Sequence, residues 1–391
     1  MGRKLASIQQ ITNIRPIAKA DRIDVADVLG WHVVVGKGDY NIGDLCIYVE
    51  IDSILPNEDW SQLLVPKDRK FNPKPKDFRI LTRKFRKQIS QGITFPLNIL
   101  YDKITLKAFE KLKDGDDVTK SLGITKYEPW KKPVRYYEKA KEDLNIFQRI
   151  KEWWFQRTYW KKKKKFAFPT YVPKTKESRI QASPSILKNH QGDLVFATEK
   201  IDGCSGTFIL LKDKFIVCSR NRHIKNGGYN SQIYWKAAEN EDVEMKLRKY
   251  GGNIAIQGEI IGGNSGLDSG IGVKNKYARP ELEIYVFNVW DINEHRYYDH
   301  FEMEKFYSKT KFKRVPKLPS FTLPNIEDLE DGETLTDRIV KLSQGMSLVN
   351  PKYKREGFVV RSRNMVNGKP EFSFKCINPK FLLIKGSHGQ S

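Results

Sequence analysis

Apolar and polar positions alternate through ADVLGWHVVVGKGDYNIGDLCIYVEIDSILP, residues 26–56, in short runs that break at Gly36-Lys37-Gly38-Asp39 and again at Gly43-Asp44. A two-residue period puts successive side chains on opposite faces, so these runs predict half-buried strands joined by Gly-Asp turns. The basic stretch FRILTRKFRKQISQGITFPL follows at residues 78–97. Together they predict a five-stranded OB-like barrel over residues 1–100, with an open face suited to single strands or phosphate backbone. From 101 to 165 the pattern changes: AFEKLKDGDDVTKSLG and YYEKAKEDLNIFQRIKEWWFQRTYWKKKKK favour helix and predict a basic connector. Beyond Phe166 strand-like runs return with helical interruptions as far as Leu383, with no repeat of 20 to 50 residues to suggest a solenoid. The predicted fold class is α+β, with a second domain over residues 166–391.

Composition narrows the function classes. A chain of 391 residues fits two domains and a connector. It holds no stretch near the ~20 apolar residues of a membrane span. MGRKLASIQQ offers no apolar secretion signal, so a cytoplasmic protein is expected, acting as a monomer. Cys46, Cys204, Cys218 and Cys376 form no C-x-x-C pair, which predicts reduced thiols rather than a disulfide framework or zinc cage. The histidines form no metal motif, and His32, His223 and His388, without evident partners in the sequence, are expected in structural or solvent roles. A magnesium ion carried by phosphate remains compatible with this inventory.

Charge changes the picture most. The net formal charge of +23 marks a partner for polyanions, with nucleic acid favoured over an anionic membrane surface, which would want a wide apolar helix face with few acids. The excess concentrates in residues 125–165, with 14 basic against 5 acidic residues, and in residues 71–90, with 7 against 1. Arg79, Arg83, Lys84, Arg86 and Lys87 are too dense for an ordinary solvated face, and predict a binding surface on the barrel. Trp153, Trp154, Phe155, Tyr159 and Trp160 lie at roughly helical spacing and are expected to pack rather than to stack on bases. Lys161–Lys165 suits phosphate contact, a solvated run or a nuclear import signal equally.

Candidate chemistry begins at Lys200-Ile201-Asp202-Gly203, a K-x-D-G whose lysine ends an apolar run. Alone it is weak. Its companions follow in order: CSRN (218–221), IQGEIIGG (256–263), IYVFNVWDI (284–292), EGFVVRS (356–362) and FSFKCINPKF (372–381). Isolated charges on apolar strands are costly to bury separately, so these residues are expected to share one cleft. Glu259 and Glu356 can hold a metal or accept from a ribose hydroxyl, Arg220 and Lys375 can neutralise phosphate, and a ring from Tyr285 or Phe287 can cover a base. No Walker A motif and no G-x-G-x-x-G is present, and the glycine-rich run at 262–272 reads as a loop rather than a phosphate cradle.

These six segments resemble the ordered motifs of the covalent nucleotidyltransferases, the polynucleotide ligases and messenger-RNA capping enzymes. A barrel ahead of FPTYVPKTKESRIQ, with the closing KCINPKF, is most similar to the fifth family of ATP-dependent RNA ligases, in which an OB domain precedes the transferase. The resemblance implies an N-terminal OB domain and a nucleotidyltransferase domain of antiparallel sheets with flanking helices. It also implies ATP with magnesium or manganese, and sealing of RNA 3′-hydroxyl and 5′-phosphate ends at nicks in duplexes through a lysyl-AMP and an adenylylated 5′ end. Carried onto this sequence, Lys200 would be the nucleophile, Glu259 would contact the ribose, Arg220 the ribose-phosphate side and Phe287 the adenine. Glu356, with Glu259, would serve the metal, and Lys375 would meet the α-phosphate, while Glu199, Ile201 and Asp202 would border the nucleotide. A second lysine that relatives carry two residues beyond Lys375 is Ile377 here, or else Ser373 stands at the first lysine's place. Ser205 stands where capping enzymes and DNA ligases place arginine, with Arg220 as the expected substitute.

An attacking amine must be neutral, so Lys375, magnesium and partial burial are expected to lower the pKa of Lys200 from its ordinary value. A capping guanylyltransferase and a non-catalytic RNA-binding protein on the same fold are the alternatives. The first usually places its OB domain after the transferase, and the second would lack Lys200, Glu356 or Lys375.

Overall fold

The computed structural model describes residues 3–65, 75–127, 167–226, 232–263, 277 and 280–387. The N-terminal sheet is antiparallel, built on β1 (Ala6–Pro16), β2 (Ile23–Val28), β3 (Trp31–Gly36) and β4 (Leu45–Val49). A hairpin of β5 (Arg83–Phe85) and β6 (Gln88–Ser90) precedes β7 (Ile93–Phe95), and the sheet order is β3-β2-β1-β4-β7. Strand β1 serves both halves, pairing with β4 from Ala6 to Gln10 and with β2 from Ile11 onward. An irregularity between Ile11 and Asn13 turns it from one partner to the other, as a bulge does at a barrel corner. Two clusters fill this OB-fold barrel: Ile8, Ile47, Val49, Leu55 and Phe95 in one, Ile11, Val28, Trp31, Val33 and Tyr48 in the other.

Residues 106–127 fold back on this core, burying Val118, Leu122 and Ile124 against it. The remainder of the predicted connector, including Trp153, Trp154, Phe155, Tyr159, Trp160 and Lys161–Lys165, lies outside the described residues. On the basic stretch, Arg83, Lys84, Arg86 and Lys87 are exposed, with Arg86 at the hairpin turn at φ 56°. Arg79 departs from the expectation of a shared binding face. It pairs with Asp52 at 2.7 Å and lies 3.6 Å over the Tyr127 ring, so its charge holds the barrel wall together.

Two further five-stranded sheets follow. The first runs Ser178–Arg179, β14 (Ser373–Ile377), β13 (Gly357–Ser362), β8 (Leu194–Lys200) and Phe321–Thr322, and is antiparallel except where Ser178–Arg179 joins β14. The second, wholly antiparallel, runs β10 (Lys214–Ser219), β9 (Cys204–Leu211), β11 (Ile254–Gly262), β12 (Leu282–Asp291) and Arg296–Tyr297. Its outer face packs on α1 (Gln232–Asn240), α2 (Val243–Tyr250) and α3 (His300–Thr310) through Phe208, Val217, Leu247, Ile256, Val286 and Phe306. The first sheet packs on α4 (Leu335–Ser343) through Val195, Ala197, Ile339, Phe358, Val360 and Phe374. Each of these buried side chains larger than alanine contributes about 2 kcal/mol of transfer free energy. Capping boxes at Asp299/Glu302 and Thr334/Asp337 start α3 and α4. This is the α+β arrangement expected from the sequence.

The chain crosses from one sheet to the other at Lys200–Cys204, which puts the K-x-D-G segment where the sheets meet. The barrel touches this second unit in several places. Leu382 of α5 (Pro379–Ser387) packs on the barrel core, Arg179 lies 3.4 Å from Asp52, and His32 reaches Asp337. The expectation that His32 lacks partners is therefore corrected: both ring nitrogens face carboxylates, Asp27 and Asp337. Among the described residues no helix is long and apolar enough to cross a membrane.

Candidate active site

A cleft of about 690 Å³ opens between the two sheets. Lys200, at the last position of β8, stands opposite Gly357 in the register, so the residue before Gly357 faces the same end of the cleft. That residue is Glu356, and its Oε2 accepts a hydrogen bond from Lys200 Nζ at 2.7 Å. Only a glycine fits at 357: its φ is 150°, and a Cβ there would meet the Cys376 carbonyl oxygen at 2.0 Å. Gly203 has a similar constraint. A Cβ on it would approach the Ile260 carbonyl oxygen at 2.3 Å, while its N–H donates to Glu259 Oε1 at 2.9 Å. The glycine of K-x-D-G thus brings β9 close enough to β11 to orient Glu259.

The other predicted residues arrive from separate elements. Asp202 and Arg220 line the cleft, Arg220 just beyond the end of β10. Phe287 lies where the β11–β12 register steps from Gln257–Asn288 to Gly258–Val286. It is the residue passed over at that bulge, which aims its ring at the cleft. Lys375 sits on β14 between buried Phe374 and Cys376, opposite Val359. Ile377 is buried and pairs with Gly357, so no second cation occupies that place. Ser373 turns its hydroxyl to Glu177. Two predicted residues have side chains engaged elsewhere: Glu199 is buried and accepts from the Leu348 N–H at 2.7 Å, and Ile201 packs with Ile261, Tyr277 and Val315.

Electrostatics reverse one expectation. Burial works against a charge on Lys200, but the carboxylates of Glu356, Glu259 and Asp202 outweigh it, and its pKa is raised rather than lowered. The depressed lysine is Lys375, brought down to about 7 by burial and by the cations of Lys200, Arg179 and Arg220. Glu259 is raised to about 7, first by burial, against the pull of Lys200. Two charged lysines cannot both be comfortable in one partly desolvated cleft, and the one beside three carboxylates keeps its proton.

Sequence reasoning passed over Arg361. From β13 it borders the cleft, donates to the Phe287 carbonyl oxygen at 3.0 Å and stands 3.6 Å from Glu177. The alternation in GFVVRS, which puts Val359 and Arg361 on one face, was the available signal. Tyr234, Arg222 and Glu177 also line the cleft and carried no comparable signal. Among the described residues no group of three or more His, Cys, Asp or Glu is arranged as a protein-built metal cage.

A family model of an OB-fold domain matches residues 5–97, and the RNA ligase family model matches residues 193–377. Among solved structures, a variant of the Naegleria gruberi RNA ligase with ATP and Mn is similar at a TM-score of 0.75 and 27% identity, with 100% of both chains covered. The same ligase with PPi gives 0.74 at 28% identity, again over 100% of both chains. A third structure of it, another variant with ATP and Mn, gives 0.74 at 26% identity over 97% of this chain and 98% of that one. No curated protein matches the chain. With an OB-fold model matching the barrel, the RNA ligase model matching the sheets around the cleft, and whole-chain similarity to a solved RNA ligase, the chain belongs to the ATP-dependent RNA ligases, as a member whose OB-fold domain precedes the ligase domain.

Proposed function

We propose that this ligase seals RNA 3′-hydroxyl and 5′-phosphate ends at nicks in duplexes, through AMP carried on Lys200 and then on the 5′ end. The observation that carries the reading is the Lys200 ammonium held 2.7 Å from Glu356 in a cleft that also presents Glu259, Arg220, Phe287 and Lys375. Phosphoryl transfer asks a protein mainly for alignment and charge neutralisation, and this cleft is furnished for both. Phe287 would stack on adenine, Glu259 would take a ribose hydroxyl, and Arg220 and Lys375 would face phosphate oxygens. The cleft volume suits a nucleotide.

The residues fit a divalent ion that arrives with the triphosphate: Glu356 and Glu259 supply two carboxylates, and one or two carboxylates with phosphate oxygens is the usual magnesium arrangement. Bound there, magnesium or manganese would supply positive charge that neutralises phosphate and disfavours a proton on Lys200. The chain's own task is to hold Lys200 charged until the nucleotide is seated. Its ammonium is oriented by the hydrogen bond to Glu356 Oε2, and with that carboxylate engaged by the metal the proton would pass to water in the cleft. The neutral amine then attacks the α-phosphorus as pyrophosphate leaves, a 5′-phosphate oxygen displaces the lysine, and the 3′-hydroxyl displaces AMP. Arg83, Lys84, Arg86 and Lys87 of the β5–β6 hairpin would carry RNA phosphates, which divides the labour between the barrel of residues 1–100 and the transferase of residues 166–391.

The test uses a nicked RNA duplex with a labelled 5′-phosphate, ATP and magnesium. Expected are an adenylylated 5′ end that forms and decays, and a sealed strand. GTP in place of ATP supporting protein labelling would favour a capping-type transferase, and a sealed product without the adenylylated species would contradict the proposed route.

A further inference from the structure

The catalytic reading leaves His32 unexplained. It lies on β3, and its ring faces out of the barrel toward the ligase half. Nδ1 is 2.6 Å from Asp27 Oδ1, on the cross-strand partner in β2, and Nε2 is 2.7 Å from Asp337 Oδ1, in the first turn of α4. Ionised carboxylates only accept hydrogen bonds, so each contact needs an N–H on the ring. A neutral imidazole has one such group and an imidazolium has two. Only the charged ring satisfies both neighbours.

The charged groups facing the ring come from three elements. Asp27 is on β2 and Asp337 on α4, while Arg15 of β1 grips Asp27 at 2.6 and 2.9 Å and passes 3.3 Å from Nδ1. Strand β6 (Gln88–Ser90) carries no charge. Two cations and two carboxylates balance, although burial alone would discharge the ring. The carboxylates outweigh burial, raising the His32 pKa to about 9, and Asp337 is lowered to about 2 against its own burial, chiefly by His32. Asp337 also caps α4 by accepting from the Thr334 N–H at 3.0 Å. That helix backs β14, with Cys376 Sγ 3.7 Å from the Ile339 carbonyl oxygen. The contact therefore joins the barrel to the helix that supports the strand bearing Lys375.

We propose that His32 is a positioning residue, an imidazolium gripped from both halves of the molecule, which sets how the barrel and its cationic hairpin seat against the ligase sheets and loosens that seat, without freeing it, when the ring becomes neutral. The functional consequence rests on the ligase reading, but the grip itself does not. A folded-state pKa raised above the unfolded value means the grip is complete below about 6.5 and is lost as pH rises through about 9.

NMR of the full chain with 15N-labelled histidine between pH 6 and 10 tests the grip without any activity, with His32→Gln identifying the signals. In wild type the His32 ring is expected to carry protons on both nitrogens at pH 7 and to lose one near pH 9, whereas in Asp337→Asn the transition falls well below that. Kinetics supply the second readout: both variants are expected to raise the KM for nicked RNA several-fold while the rate of Lys200 adenylylation stays at the wild-type value. A wild-type His32 ring already neutral at pH 7 would overturn the proposal, as would either variant sealing RNA with an unchanged KM. Absence of sealing in every form, with the ring titration near pH 9 intact, would count against the ligase reading and leave the grip standing.

Discussion

Lys375 is the residue whose chemistry is most exposed to experiment. Its pKa near 7 leaves much of it neutral at pH 8, and a phosphate beside it would restore the ammonium. Nucleotide binding is therefore expected to take up a proton above pH 7, with affinity greatest below that value and falling as pH rises. Calorimetry of ATP binding at pH 8 in two buffers of different ionisation enthalpy checks this. The heats should differ by close to one proton in wild type and by much less in Lys375→Met, which leaves Glu259 in place; equal heats in wild type would refute it. The identity of such residues was legible in the sequence, because a lone charge on an apolar strand is conspicuous. Their protonation was not. Lys200 is held charged by Glu356, which is 156 positions away, and which lysine keeps its proton depends on distances that no spacing encodes. Arg361 was missed for a related reason, since only the pairing of β13 between β8 and β14 shows that its face borders the cleft.

At the scale of elements, β13 is the central strand on which the site depends, because it neighbours both β8 and β14. Gly357→Ala would force an alanine to φ 150° with its Cβ 2.0 Å from the Cys376 carbonyl oxygen. Strain and clash together should cost about 3 kcal/mol. Urea denaturation is expected to show a lower midpoint with an unchanged slope, and an unmoved midpoint would mean the strand pairing has slack that the contact at Cys376 excludes. Alternation and Gly-Asp turns made the barrel strands readable, and β8, β9 and β11 likewise. The bulge that aims Phe287 had no sequence signal. It arises from a register mismatch between two strands, each regular by itself. The start of the connector also read as more independent than it is, since Val118, Leu122 and Ile124 look like helix positions until the barrel core is there to receive them.

For the whole molecule, the described part of the basic stretch at 71–90 divides into two roles. Four exposed cations stand on one hairpin of the barrel, while Arg79 has been drawn into an internal ion pair. Replacing Arg83, Lys84, Arg86 and Lys87 with serine is expected to weaken binding of nicked RNA duplex and to reduce the slope of log affinity against log salt by up to about 3.6, at roughly 0.9 per phosphate contact on a duplex. Lys200 adenylylation should be unaffected. An unchanged salt slope would show the hairpin to be a solvated face. Contacts between the two halves were illegible in the sequence, as His32 and Asp337 are 305 positions apart and neither belongs to a motif.

The central claim, that Lys200 carries the nucleotide, meets its most direct test in peptide mapping after incubation with α-labelled ATP and magnesium. The account predicts one AMP adduct, on the peptide containing Lys200, and none in Lys200→Ala. An adduct on another residue, or labelling that survives the substitution, would contradict it.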